Sequence, residues 1–255
     1  MTGYPEMITR LKACLNGGRS REEHPAVPVT PAELARAAAQ AVAAGAEAVH
    51  LHPRGEDGAE SLDAADIGAA VAAVRAAGPG TPVGVSTGLW ITGGDAGRRY
   101  RTVAQWARLP PAQRPDFASV NVGEQGFAEL AALLGGAGIG VEAGVWSPAD
   151  AERLAGVPVD RVLIEVLHAP ATDAVAAAEE ILARLDARGV TAPRLLHGEQ
   201  QACWPLISHA GRLGLPTRIG LEDTLVTDDG RVATDNAELV RRAARLWEAQ
   251  RARRC

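Results

Sequence analysis

The feature that most constrains the fold is a rhythm. Short runs of apolar, β-favouring residues alternate with alanine-rich stretches that carry helix-start and helix-stop signals. The expected strands are residues 7–15, 48–52, 82–86, 117–122, 140–145, 161–167, 194–197 and 217–221. Between and after them lie expected helices at 31–45, 64–77, 99–108, 127–134, 148–154, 174–188, 203–213 and 236–251. Thr30-Pro31-Ala32-Glu33 reads as a capping box with Pro31 at the first helical position; Gly45 and Gly189 are stops. No composition break, linker or low-complexity tract interrupts the alternation. Eight strand–helix units are the number that closes a parallel barrel, whereas a doubly wound sheet usually carries fewer units and a longer crossover. The expected architecture is α/β, a single (βα)8 TIM barrel over residues 1–255.

Composition narrows the function. An apolar fraction of 47% supplies a large core, yet no apolar run approaches the roughly 20 residues needed to span a bilayer. Residues 1–10 lack the basic-then-apolar plan of a secretion signal. A net charge of −5 argues against a nucleic-acid partner. Cys14, Cys203 and Cys255 form no C-x-x-C and no paired framework, which fits a reducing cytoplasm. Lys12 is the only lysine.

In a barrel of this kind, chemistry sits at the C-terminal ends of the strands. Those ends carry Asn16 and Arg19; His50, His52 and Arg54; Ser86 and Thr87; Asn121 and Glu124; Glu142; Glu165 and His168; His197 and Glu199; Glu222 and Asp223. The opposite ends carry mostly Gly, Pro, Ala or Asp. In Val49-His50-Leu51-His52-Pro53-Arg54 the two histidines lie two apart, so on a strand they share a face, and Pro53 stops the ladder. Two imidazoles and one carboxylate make a three-ligand site with open positions for zinc or another first-row divalent ion. Glu222 is the preferred third ligand because Asp223 then stays free as a base; Glu142 and Glu165 are rivals on spacing. Asn16, Arg19, Thr87 and Asn121 are the candidates for holding a substrate.

The motifs Pro25-x-Val27-Pro28-x-Thr30-Pro31, His50-Leu51-His52-Pro53-Arg54, Ser86-Thr87-Gly88, Ser119-Val120-Asn121-x-Gly123 and Arg218-Ile219-Gly220-Leu221-Glu222-Asp223 resemble the β-keto acid cleavage enzymes over essentially the whole chain. That resemblance implies a zinc-dependent barrel, usually oligomeric (a homodimer or homotetramer), that condenses a β-keto acid with acetyl-CoA to give acetoacetate and a new acyl-CoA. It implies zinc on His50, His52 and Glu222, Asp223 paired with Arg218 as the base, Ser86 as a substrate contact and Glu142 as a further active-site acid. The pattern departs after the first strand, where many members have an acidic residue and this chain has Gly18 followed by Arg19. It departs again at Asn121, where members have Thr. The change beside Arg19 points to a neutral or anionic substrate end. Pairing also sets a geometric requirement: on a straight strand Arg218 and Asp223 would stand about 16 Å apart at ~3.3 Å per residue, so the chain must bend near Gly220.

Rivals are weaker. A Schiff-base aldolase needs a lysine inside the barrel, and only Lys12 is available. A metal hydrolase of the amidohydrolase type also uses H-x-H, normally on the first strand with further histidines later; here only His168 and His197 could follow. Gly136-Ala137-Gly138-Ile139-Gly140 precedes a strand and so reads as a helix-to-strand turn, not a dinucleotide loop. His24 and His209 read as packed or solvated. Trp90, Trp106 and Trp247 read as core or contact residues, while Trp146 and Trp204 stand nearer the rim.

Overall fold

The computed structural model describes residues 8–253. Eight parallel strands run in the order β7-β6-β5-β4-β3-β2-β1-β8. They are β1 (Leu11–Cys14), β2 (Ala48–Leu51), β3 (Val83–Ser86), β4 (Phe117–Asn121), β5 (Gly140–Val145), β6 (Arg161–Val166), β7 (Arg194–Gly198) and β8 (Thr217–Ile219). The ring closes between β7 and β8. Leu196 N donates to Pro216 O at 3.0 Å, and Thr217 Oγ1 donates to Leu196 O at 2.7 Å. The expected (βα)8 TIM barrel is the observed fold.

The outer ring comprises α1 (Pro31–Ala43), α2 (Ala64–Ala77), α3 (Ala96–Val103), α4 (Phe127–Gly136), α5 (Pro148–Leu154), α6 (Ala174–Ala187), α7 (Cys203–Leu213) and α8 (Asn236–Ala252). Local chemistry sets their starts. Thr30 and Glu33 form the capping box of α1, and the side chains of Asp95, Ser147 and Asp235 cap α3, α5 and α8. The Gly136–Gly140 run is a turn between α4 and β5, with Gly138 at φ 72°.

Alternation along the strands divides the core in two. Val49, Leu51, Val83, Val85, Val120 and Ile164 pack outward against the helices. Ala48, Phe117, Leu163 and Leu195 point inward and, with Ile8, plug the lower barrel. Above that plug lies a charged layer: Lys12 is ion-paired with Glu142, with Arg161 Nε 3.6 Å from Glu142 Oε1, and all three side chains are at most 1% exposed. The Lys12 Nζ stands 5.4 Å from the centre of the Phe117 ring.

Several boundaries differ from the sequence expectation. The first strand is Leu11–Cys14, and Met7 lies outside the described residues, as does Cys255. The helix expected at 99–108 is α3 from Ala96 followed by a 3-10 turn at Ala104–Arg108, and another 3-10 turn, Leu89–Thr92, precedes it. The last strand ends at Ile219, not at Leu221, because the chain turns there.

Candidate active site

His50 and His52 stand at the upper end of β2 on its inner face, 1% and 5% exposed. Asn16, at the end of β1, fixes the neighbouring backbone: its Oδ1 accepts from His52 N at 2.9 Å, and its Nδ2 donates to His52 O at 2.8 Å and Pro28 O at 3.1 Å. Asn16 therefore sits behind the histidine pair as a brace, fully buried.

The opposing wall comes from the far end of the sequence. After β8 the chain turns at Gly220, whose carbonyl accepts from the amides of Asp223 (2.9 Å) and Thr224 (3.1 Å). A Cβ at Gly220 would lie 1.8 Å from Cys14 O, so only glycine permits this approach to β1. The turn meets the requirement set by the sequence: Arg218 Nε and Nη2 donate to Asp223 Oδ1 at 3.0 and 2.8 Å, and Nη2 also donates to Glu222 Oε1 at 2.9 Å.

The same turn carries Glu222 to the histidines. His52 Nε2 and His50 Nε2 are 3.2 Å apart, and Glu222 Oε2 lies 3.6 Å from the first and 4.0 Å from the second. A tetrahedral ion with ligand bonds of ~2.0–2.1 Å separates its ligands by about 3.3 Å, so the three atoms are spaced as such an ion needs. Glu222 Oε2 is buried and accepts no hydrogen bond among the described residues. Burial, then His52 and Lys12, hold His50 well below the ordinary histidine range, which keeps its imidazole neutral, the form that binds metals. Donor set, spacing and the unpartnered oxygen all fit a divalent cation.

Beside this triad runs a second chain of contacts. His197, fully buried, meets Glu165 Oε2 through Nε2 at 2.9 Å, and its Nδ1 is 3.6 Å from Asp223 Oδ1. Trp146 Nε1 donates to Glu165 Oε1 at 3.0 Å. Burial would raise Glu165, but the His197 hydrogen bond and the charge of Arg218 win and bring it to about 2. Asp223 goes the other way: burial raises its carboxyl against the pull of Arg218 and His197, and Glu222 adds to the rise. Its Oδ2 is buried, with no hydrogen-bond partner among the described residues.

A cavity of about 250 Å³ opens above these groups at the C-terminal mouth of the barrel. His50, His52, Glu222, Arg218, Ser86 and Asn121 line it, as does Arg19. Arg19 is held by Glu23 at 2.9 Å and donates through Nε to Glu222 O at 3.2 Å. Other candidates lie outside the lining. Thr87 is fully buried, with its hydroxyl on Ser119 O at 2.6 Å. Glu142 lies in the charged layer with Lys12, and Asp223 is enclosed against Arg218. His168 is exposed, and neither it nor His197 joins the triad.

Sequence reading missed four lining or flanking groups. Glu60, in the loop after β2, places Oε1 2.5 Å from His52 Nδ1. Trp90, expected in the core or in a contact, is 49% exposed, lines the cavity and donates to Glu60 Oε2 at 2.9 Å. Glu199, at a strand end in the sequence, lines the cavity and is pushed up to about 8, by burial first and then by Asp223. Glu23 lines the outer part. Trp204, noted near the rim, instead donates to Val226 O at 3.0 Å and is absent from the lining. An acidic residue eight positions past an H-x-H pair was the available signal for Glu60.

Comparisons with known proteins bear on the family and the fold. A sequence profile described as beta-keto acid cleavage enzyme matches residues 9–195 and 169–253. The 3-keto-5-aminohexanoate cleavage enzyme of Fusobacterium nucleatum subsp. nucleatum is 28% identical over 261 residues, which cover 92% of this chain and 90% of that protein. Among solved structures, ObcA bound to oxaloacetate superposes with a TM-score of 0.70 at 18% identity, over 88% of this chain and 67% of ObcA. Apo ObcA gives 0.67 at 18% identity over 85% of this chain, which spans only 61% of ObcA. 3-Dehydroquinate dehydratase from Geobacillus kaustophilus HTA426 gives 0.61 at 11% identity over 94% of this chain and 92% of that one. These structural likenesses establish the barrel alone.

Proposed function

The chain belongs to the β-keto acid cleavage enzyme family, and on that premise we propose that it condenses a β-keto acid with acetyl-CoA at a zinc ion held by His50, His52 and Glu222. The products are acetoacetate and a new acyl-CoA. The observation that carries this reading is the meeting of three groups, His50 and His52 from β2 and Glu222 from the turn after β8, with Asp223 and its Arg218 partner directly beside them.

A bound divalent cation would take the ketone and carboxylate oxygens of the β-keto acid and make its C2 protons more acidic. Asp223 is the base. Its Oδ2 has no competing partner among the described residues, and its raised pKa makes it a stronger proton acceptor than an ordinary carboxylate. Arg218 fixes Asp223 through Oδ1 and leaves the buried Oδ2 without a hydrogen-bond donor among the described residues. The electron pair left at C2 forms a bond to the acetyl carbonyl carbon, and CoA leaves as the thiolate. The thiolate then adds to the original ketone carbon, the bond from that carbon to C2 breaks, and Asp223 returns its proton to C2. Ser86 and Asn121 line the cavity where they can donate to the substrate. Arg19 in the lining, beside Gly18, suits a substrate whose far end is neutral or anionic.

The test is acetoacetate formation from acetyl-CoA and a panel of β-keto acids by zinc-loaded protein. Stoichiometric acetoacetate and new acyl-CoA are expected. Release of free thiol without acetoacetate would instead indicate a hydrolase.

A further inference from the structure

We propose that Glu60 is a positioning residue for the metal ligand His52, and that Trp90 locks it in place. The inference rests on the reading of His50, His52 and Glu222 as a metal site. The two imidazoles are held differently. His50 Nδ1 is buried and has no hydrogen-bond partner among the described residues. His52 Nδ1, in contrast, meets Glu60 Oε1 at 2.5 Å, with side-chain exposures of 6% and 14%. A carboxylate can only accept, so Nδ1 carries the proton and Nε2 presents its lone pair toward His50 Nε2 and Glu222 Oε2. That is how an outer carboxylate fixes the tautomer and ring plane of a metal-bound histidine and raises its basicity.

The second oxygen of Glu60 is also engaged. Trp90 Nε1 donates to Oε2 at 2.9 Å, and the indole stacks on the His52 ring with centroids 6.4 Å apart and planes inclined at 23°. His52, Glu60 and Trp90 thus form a closed ring of three contacts, one wall of which faces the cavity. The backbone holds Glu60 where this ring needs it. Arg54 and Glu60 pair across an antiparallel bridge; Gly55 N donates to Ala59 O and Ser61 N to Pro53 O, each at 2.9 Å. Arg54 also donates to Gly17 O and Arg19 O, which ties this hairpin to the loop that follows β1. Gly18 leaves room for the arrangement: a Cβ there would lie 3.4 Å from Glu60 Oε2, so a longer side chain would contend with Glu60 for the same space.

The test measures Zn²⁺ affinity by competition with a chromophoric chelator, and the visible spectrum of the Co²⁺-loaded protein, for wild type, Glu60→Ala, Glu60→Gln and Trp90→Phe. Glu60→Ala is expected to weaken Zn²⁺ binding by roughly 10- to 100-fold and to change the Co²⁺ band intensities. Glu60→Gln keeps an acceptor for Nδ1–H and is expected to recover part of the affinity. Trp90→Phe, which keeps the stacking and loses the donor, should show a smaller loss. Zn²⁺ affinity within twofold of wild type and an unchanged Co²⁺ spectrum in folded Glu60→Ala, or in folded Glu60→Leu should the alanine variant not fold, would overturn the proposal while leaving the metal site standing. Failure of the wild type to bind either ion would overturn the site reading as well.

Discussion

Replacing Glu199 with Gln should stabilise the protein, and by an amount that grows with pH. Glu199 lines the cavity on the loop after β7 and makes no side-chain hydrogen bond among the described residues; burial first, then the charge of Asp223, with Glu165 and Glu222 adding less, raises its carboxyl, and Arg218 partly opposes them. Its carboxyl rises from 4.5 to about 8, so it is mostly protonated at neutral pH in the folded chain and ionised in the unfolded one. The folded state therefore binds the extra proton, and stability falls as pH climbs from about 4.5 to 8. At ~1.4 kcal/mol per pH unit the full cost above pH 8 is on the order of 5 kcal/mol, and relaxation of the site would reduce it. Glutamine keeps the shape and cannot ionise. Urea denaturation at pH 5, 7 and 9 with a chelator present, so that no cation offsets the acidic cluster, should show wild type and Glu199→Gln nearly equal at pH 5. At pH 9 the variant should lead by roughly 2–4 kcal/mol. A difference independent of pH, or a variant less stable at pH 9, would refute the argument.

Two further outcomes follow from the same geometry. Gly17→Ala should cost about 1–3 kcal/mol and weaken Zn²⁺ binding, because residue 17 has φ +54° and its Cβ would lie 2.5 Å from Glu222 Cγ; Gly18→Ala, with no positive φ, is the near-neutral control, and thermal melts with metal titration compare the two. Glu165 has the opposite linkage to Glu199. Its carboxyl lies at about 2 when folded, so its stabilisation is complete above pH 4.5 and is lost as pH falls toward 2; acid titration followed by circular dichroism should find a shallower loss in Glu165→Gln.

The fold was legible because its signals are local. Caps such as Thr30 and Ser147, stops such as Gly45, and the two-residue alternation of Val49-His50-Leu51-His52 each act over one or two turns of chain, and repeating them eight times leaves few closed architectures. The histidine pair was legible for the same reason, since strand geometry alone puts both rings on one face. The bend at Gly220 followed from combining a pairing with a distance.

Depth and neighbours were not available in this way. Glu142, Glu165 and Glu222 all stand on or just after strands, yet the barrel sends each to a different partner: Glu142, third residue of β5, to Lys12 in the buried charged layer, Glu165 to His197, and Glu222 to the two histidines. Glu60 and Trp90 come from two separate loops and meet only over His52. The sequence by itself determined which residues face inward, because side-chain direction repeats with the backbone. Only the tertiary structure decided which of those carboxylates share a level with the imidazoles, because that depends on the stagger of strands from opposite ends of the chain when the sheet closes.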